Sequence, residues 1–381
     1  MRVAEISTFS QFSVGKIMCD IKSGLIANGH ECVICFARGE NNGDYRIGNK
    51  ANIYINAIGA RLFDNDGFCT KSGTKKLVKF LINYNPDVIH LHCLHGYYLN
   101  SKVLFEYIKK YNKKVVWTMH DAWTFSGHCC YFDLYNCSKW KKECSNCKAK
   151  KDFPKTFFDK STRNFKLKKS VFTSVDENNM FIVSPSKWLD DKVADSYLKK
   201  YKHFVVNNGV DNEIFNDKNN SREKIILAVA NVWDKRKNIN DILILSKNIK
   251  QWKMIIVGKV NKKINKGLYK NIEFINHLNS MELKDLYNKA SIFLNPTLSD
   301  NFPTVNIEAQ LCGLIVLSYN AGGSSETNIG KLKIIDDCKY LCDNDFDNIY
   351  DELKNKKSDC HLLSKQTMIE NYLNVYKEVY K

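Results

Sequence analysis

Two carboxylates with a proline-led helix start between them carry the clearest chemistry in the chain. An apolar run ending at Leu294 reads as a strand. Asp300, Asn301, Phe302 and Pro303 follow as a turn, and Glu308 comes after seven intervening residues. Pro303 reads as the first helical position, where its missing N–H would be an orphan anyway. The amides of Thr304 and Val305 then point out of the helix start, where an anion such as a diphosphate is favoured. Asp300 stands before the helix and Glu308 more than a turn inside it. That spacing lets one carboxylate face a sugar and the other a ribose, with a diphosphate between them.

Cations and glycines accompany the acids. Lys235, Arg236 and Lys237 follow an apolar strand at 224–231. Gly258 ends another strand and would let backbone approach a base or phosphate. Thr297 lies just before the acid pair. In the first half, His90, His92 and His95 cluster at the end of one expected strand, and His120 with Asp121 at the end of the next. Two such clusters at strand ends are candidates for hydrogen-bonding or proton-transfer work. Gly15, between the first strand and the first helix, could also admit a phosphate, although its surroundings form neither a Walker loop nor a GxGxxG fingerprint.

Cysteine usage is uneven. Cys129, Cys130, Cys137, Cys144 and Cys147 fall within nineteen residues of a chain that has 14 cysteines in all. Chance would place about 0.7 there. Cys144 and Cys147 have the CxxC spacing of half a zinc site, and Cys129 with Cys137 could complete a four-thiolate tetrahedron. His128 or Cys130 could replace one ligand. Plain reduced thiols are the other reading. A closed site of this kind would fix a loop and leave no open position for chemistry.

The elements that must position these groups are α/β throughout. A strand at 2–6, a helix at 16–28 and a strand at 31–36 open a doubly wound domain. Further strands are expected at 88–92, 115–120, 180–185 and 203–207. A turn-rich stretch, Asn207 to Phe215, reads as the connection. A second series then runs through 224–231, 254–258, 272–275, 291–294 and 314–317, and a helix at 365–380 closes the chain. The domains expected are 1–206, including the cysteine-rich loop 128–150, then 207–364, then a terminal helix at 365–381.

The acid pair resembles the paired-acid motif of glycosyltransferase family 4, whose members are retaining enzymes of the GT-B fold. The resemblance implies two Rossmann-like domains facing each other across a cleft, with the terminal helix packed back on the first. It gives Asp300 and the following backbone the donor sugar, and Glu308 the ribose hydroxyls. It makes Asn301, Phe302, Thr304, Val305, Gly258 and Thr297 donor-side neighbours. Family members carry an arginine and then a lysine after the strand at 224–231, both holding the diphosphate. Lys237 matches the lysine. The usual arginine position falls near Asn231 or Val232, so Arg236 or Lys235 would replace it. The segment from His120 to Cys129 resembles a block in capsule and exopolysaccharide glycosyltransferases, in which the histidine reaches the donor sugar. Asp121 would then orient that imidazole or meet the acceptor, with Gly15 and His95 also on the acceptor side. The implied catalytic set is His120, Asp300 and Lys237, with no cofactor required.

Composition agrees with two globular domains. The chain has 381 residues and 44% apolar content, and no apolar run long enough to span a bilayer. The N-terminus reads as a strand, so the expected location is cytoplasmic or peripheral to the inner membrane face. Net charge is +17, carried mainly by lysines in clusters such as Lys141–Lys142 and Lys168–Lys169. That balance suits an anionic membrane surface or a set of solvated faces. No aromatic-interleaved basic motif appears, so no specific nucleic acid is expected. The expected partners are a UDP- or GDP-sugar and a saccharide or lipid-linked saccharide. The rivals are a nucleotide-sugar epimerase or hydrolase, and a basic zinc-containing nucleic-acid-binding protein.

Overall fold

The computed structural model describes residues 1–40, 43–219 and 221–380. Lys381, the last position of the expected terminal segment, lies outside them. The chain divides into two compact units, Met1–Asn207 with Ile369–Lys381, and Asn208–Met368.

Unit one carries strands β1 (Arg2–Phe9), β2 (Glu31–Arg38), β3 (Tyr45–Arg46), β4 (Val88–Leu91), β5 (Lys114–Thr118), β6 (Met180–Ser184) and β7 (Lys202–Val205). They form a parallel sheet in the order β3-β2-β1-β4-β5-β6-β7. Helices α1 (Phe12–Ala27), α2 (Lys50–Phe63), α3 (Ser72–Tyr84), α4 (Ser101–Lys110), α5 (Ser161–Phe172) and α6 (Lys187–Ala194) connect them. β4 and β6 are buried at every residue, as expected for strands covered on both faces by crossover helices.

Unit two repeats the plan. Its strands are β8 (Ile225–Val232), β9 (Lys253–Lys259), β10 (Ile272–Ile275), β11 (Ile292–Asn295), β12 (Ile315–Tyr319) and β13 (Leu332–Ile335). Their order is β10-β9-β8-β11-β12-β13. Helices α7 (Ile239–Leu245), α8 (Ser280–Lys289), α9 (Thr304–Leu311) and α10 (Asp343–Leu353) cover the faces; α11 (Lys365–Tyr380) ends the chain and belongs to unit one from Ile369 on. Asn279 and Glu282 form a reciprocal capping box that fixes where α8 starts. Separate apolar clusters fill the two sides of this sheet, one around Ile242, Trp252 and Leu294, the other around Tyr287, Phe293 and Ile307. Both halves are Rossmann-like. In each, strand order reverses between the first and fourth strands. Ligands of such sheets sit outside the carboxyl ends at that reversal.

Two expectations change here. Helix α1 begins at Phe12, earlier than the apolar spacing suggested. Gly15 is therefore not in a loop but in the first helical turn, where a Cβ would come within 2.3 Å of the Ser10 carbonyl carbon. Its role in the fold is to admit that backbone. Gly258 behaves likewise: its φ is +121°, and a Cβ would meet the Ala230 carbonyl oxygen of the adjacent strand at 1.6 Å. Strand packing alone requires it to be glycine.

Candidate functional site

In unit two the acids and cations meet at the strand-order reversal. Arg236 and Lys237 lie in the turn after β8, and Asp300 lies in the turn after β11, the strand paired with β8. Lys237 Nζ stands 2.8 Å from Asp300 Oδ2, and Arg236 Nη1 3.3 Å from the same oxygen. Burial pushes this carboxyl up, but Lys237 and Arg236 outweigh that and hold it below the usual carboxylate range. The backbone is held as well. The Arg236 carbonyl accepts from the Leu298 amide at 2.8 Å, and the Asp300 carbonyl accepts from Gly323 at 3.1 Å. Gly322 has no room for a Cβ, which would come within 1.8 Å of that same Asp300 oxygen.

Helix α9 starts one residue later than expected. Pro303 is the N-cap, with extended backbone, and Thr304 is the first helical residue. The amides of Thr304 and Val305 are then the first two of the helix, among the four with no intrahelical acceptor. Of the eight residues of α9, Thr304, Val305 and Glu308 keep solvent access and the other five are buried. One face of the helix thus presents two leading amides and a carboxylate a turn further in. Asn301 and Phe302 are buried, the Phe302 amide donating to Asp300 Oδ1 at 3.3 Å. Thr297 is buried against Asn295 Oδ1, which its amide and hydroxyl both reach.

Beside this cluster, a depression of about 720 Å³ opens at the carboxyl ends of β8, β9 and β10. Asn231, Lys259, Asn276 and His277 line it. Of these, only Asn231 stood out in the sequence, as the place of the family's usual arginine. Their shared signal was position, just at or past three adjacent strand ends. A second depression, of about 520 Å³, lies by Gly313 and Lys331, which precede β12 and β13. That is the amino end of the sheet, the wrong end for a Rossmann ligand.

Unit one brings its histidines together but with different partners from those expected. His120 Nε2 lies 2.9 Å from His92 Nδ1. His95 Nε2 lies 2.7 Å from Asp121 Oδ2, and Asp121 Oδ1 accepts from the Trp123 amide. His120 thus has His92 as one hydrogen-bond partner, and Asp121 also holds His95. Burial lowers His120 to about 4, so its imidazole is neutral at physiological pH. Burial would also lower His95, but the Asp121 carboxylate outweighs it and raises that imidazole well above its ordinary value. His90 bridges to α11, with Nδ1 2.7 Å from the Tyr376 hydroxyl and Nε2 2.8 Å from Thr118.

Glu5 sits beneath these histidines, fully buried, 3.6 Å from His90 Nδ1. Neither of its carboxyl oxygens has a hydrogen-bond partner among the described residues. Burial holds it well above the usual carboxylate range. A raised folded-state value means that this group's stabilising contribution is complete below the ordinary glutamate range and is lost as pH rises through the folded value. Glu5→Gln is expected to raise Tm near neutral pH by about 3–6 °C. The gain should shrink in acid. Calorimetry of both proteins at about pH 5 and about pH 8 checks this; a lower Tm for the variant at both would refute it.

Several residues missed in the sequence hold the surrounding loops. Asp66 accepts from the amides of Gly96 and Tyr97 at 2.9 and 2.8 Å. Asp64 accepts from His128 Nδ1 at 2.6 Å. Lys168 is not part of a solvated basic cluster. It is buried, donates to the Trp123 and Ser126 carbonyls at 2.6 and 3.0 Å, and stands over the Trp123 ring.

In the cysteine loop, Cys129 hydrogen-bonds to Cys147 and pulls that thiol down to about 7. Cys144 accepts from the Gly127 amide at 3.2 Å, and Cys137 and Cys144 interact electrostatically. Among the described residues, the triads whose ligand atoms converge within 4.8 Å are Glu5, His90, His92 and Cys93, His95, Asp121. Neither draws on the cysteine loop. His90 has hydroxyl partners on both nitrogens, which argues against a cation in the first triad.

The family described as Glycosyltransferase Family 4 matches residues 14–214, more than half of the chain. The chain belongs to that family. Glycosyl transferases group 1 matches residues 210–355, the span that holds the acid pair. WcaC of Escherichia coli K12, named for colanic acid biosynthesis glycosyl transfer, is 31% identical over 134 residues. That match covers 33% of this chain and 32% of WcaC, so it spans about a third of the relative's length. Sucrose-phosphate synthase of Thermosynechococcus elongatus superposes with a TM-score of 0.69 at 14% identity, over 100% of this chain and 99% of its own. Anabaena HepE, solved with UDP-glucose, gives 0.62 at 11% identity over 99% of each. At such identities the structures establish the fold, two Rossmann-like halves of the GT-B kind. No helix among the described residues is long and apolar enough to cross a membrane.

Proposed function

We propose that this family 4 glycosyltransferase moves a hexose, with retention, from a nucleoside diphosphate sugar to a hydroxyl of a lipid-linked saccharide during surface-polysaccharide assembly. One observation carries the reading. At the reversal point of unit two, Arg236, Lys237 and Asp300 converge, and α9 keeps only Thr304, Val305 and Glu308 accessible. The HepE complex supports UDP as the carrier, and WcaC supports the polysaccharide setting.

In this reading the diphosphate takes Lys237, Arg236 and the two leading amides of α9. Asp300, released from the cations, accepts from sugar hydroxyls, and Glu308 accepts from the ribose. The depression at Asn231, Lys259 and His277 is the place for the base. The bond from the anomeric carbon to the diphosphate oxygen breaks, and the electron pair leaves with the diphosphate. The acceptor oxygen bonds to the same face, and its proton goes to the departing phosphate oxygen. No side-chain base is required; the protein's task is to stabilise charge on the leaving group. The family resemblance gives His120 the donor sugar, where a neutral imidazole hydrogen-bonds without taking a charge.

Binding of UDP-, GDP- and ADP-sugars to the purified protein tests the reading. Saturable binding of one donor, with transfer to a saccharide acceptor, supports it. Donor consumed without acceptor would favour an epimerase or hydrolase, and no binding would overturn it.

We extend the proposal to structural zinc on Cys129, Cys137, Cys144 and Cys147, supported by the Cys129–Cys147 pair and the easily formed Cys147 thiolate. The expected metal content is about one zinc per chain, reduced by Cys144→Ser. Zinc-free protein with full stability would leave reduced thiols.

A further inference from the structure

Helix α2 is amphipathic the wrong way round. Its buried residues are Asn56 and Ala60. Asn56 anchors the helix by polar bonds: its amide nitrogen donates to the Tyr97 carbonyl at 3.0 Å, and its oxygen accepts from the Thr70 amide and hydroxyl at 3.0 and 2.8 Å. The opposite side carries the apolar residues. At 3.6 residues per turn, Tyr54, Ile58 and Leu62 run along one line, with Ile55 beside it. Tyr54 is 71% exposed, Ile58 58% and Ile55 55%.

A neighbouring loop enlarges it. The Phe157 amide and the Thr156 hydroxyl both donate to the Arg61 carbonyl, at 2.8 and 3.1 Å. That contact sets Phe157 and Phe158, 66% and 58% exposed, beside the C-terminal end of α2. A contiguous exposed apolar surface of this kind marks an interaction site.

The charge around it selects the partner. Neither α2 nor α3 contains an acidic residue. Lys50 and Arg61 flank the stripe on α2 itself. Helix α3 starts alongside, where Asn52 donates to Ser72 at 3.3 Å, and adds the exposed Lys71, Lys75 and Lys76. Lys155 and Lys160 border the phenylalanines. An apolar stripe bordered by cations, whose one neighbouring carboxylate in the phenylalanine loop, Asp159, is taken by the Cys147 and Ser161 amides, suits a bilayer interface, in which rings and aliphatic chains enter the acyl boundary and the cations meet anionic headgroups.

We propose that the face formed by α2 and the Phe157–Phe158 loop docks this protein on an anionic lipid surface. The inference stands on unit one alone and does not require the sugar-transfer reading, because vesicle binding is measured without donor. It would also give a lipid-linked acceptor a place to be presented.

Flotation with phosphatidylcholine vesicles, with and without phosphatidylglycerol, tests it. The variants are Ile55→Ser with Ile58→Ser, Phe157→Ser with Phe158→Ser, and, as a control exposed elsewhere, Leu268→Ser. The wild type and the control should float with the anionic vesicles, and each double variant should lose about tenfold or more in partitioning. Salt should weaken binding. Unchanged Tm and donor affinity in the variants would show that fold and donor site survive. Equal flotation of wild type and double variants would overturn the proposal. So would a dimer in sedimentation that the same substitutions dissolve without any vesicle binding, which would assign the face to a second copy of the chain.

Discussion

Glu308→Ala should lower donor affinity by about 150-fold or more while leaving the fold intact. The magnitude follows from losing charge-assisted hydrogen bonds to two vicinal ribose hydroxyls, each worth about 1.5–3 kcal/mol. The intact fold follows from the helix. The residues that pack α9 into unit two are Asn306, Ile307, Ala309, Gln310 and Leu311. Gln310 alone makes bonds to the Asn306 and Thr327 carbonyls and to the Ile329 and Lys331 amides. Glu308 lies on the accessible face, where the Tyr287 hydroxyl approaches it at only 3.5 Å. Glu308→Gln keeps the shape and one acceptor oxygen, and should fall between wild type and alanine. Calorimetric titration with the preferred donor checks both. Unchanged affinity in the alanine variant would remove Glu308 from the site.

The acid pair was legible in the sequence because its chemistry is local. A strand, a turn, a helix start and two acids fit in one short stretch, and the structure keeps that order with the helix shifted by one residue. The strands were legible for a similar reason: β-strands buried on both faces appear as short apolar runs. What stayed hidden depends on non-local contact. A partner of His120, His92, comes from just past β4, 28 residues away in the chain, whereas sequence proximity points only to Asp121, its immediate neighbour. Lys168 reads as one more surface lysine until its ammonium is seen among the Trp123 and Ser126 carbonyls. Gly15 and Gly258 read as phosphate-facing because glycine next to a strand end has that use, but each is fixed by a carbonyl from elsewhere in its own unit. The stripe on α2 escaped for the opposite reason. Its apolar spacing looks like that of any core-facing helix, and only the burial of Asn56 shows which side faces inward.

Lys237→Met should lower kcat by about 10²–10³-fold and change KM much less. Lys237 and Arg236 together hold the Asp300 carboxyl below the usual carboxylate range against its burial. A bound diphosphate offers those cations more charge than one carboxylate does. It gains further charge as the anomeric bond breaks, so the ammonium is worth more in the transition state than in the donor complex. Methionine keeps the length of the side chain and removes the ammonium, leaving Arg236 alone with both anions. Arg236→Met should be milder, since its guanidinium stands farther from Asp300, at 3.3 against 2.8 Å. Asp300→Asn separates the two tasks. Combined with Lys237→Met, it relieves the buried charge but restores no leaving-group stabilisation, so the double variant should regain Tm and not kcat. A Lys237→Met enzyme with raised KM and unchanged kcat would mean that the lysine serves only to hold the donor, and the leaving-group role would then fall to the two amides of α9.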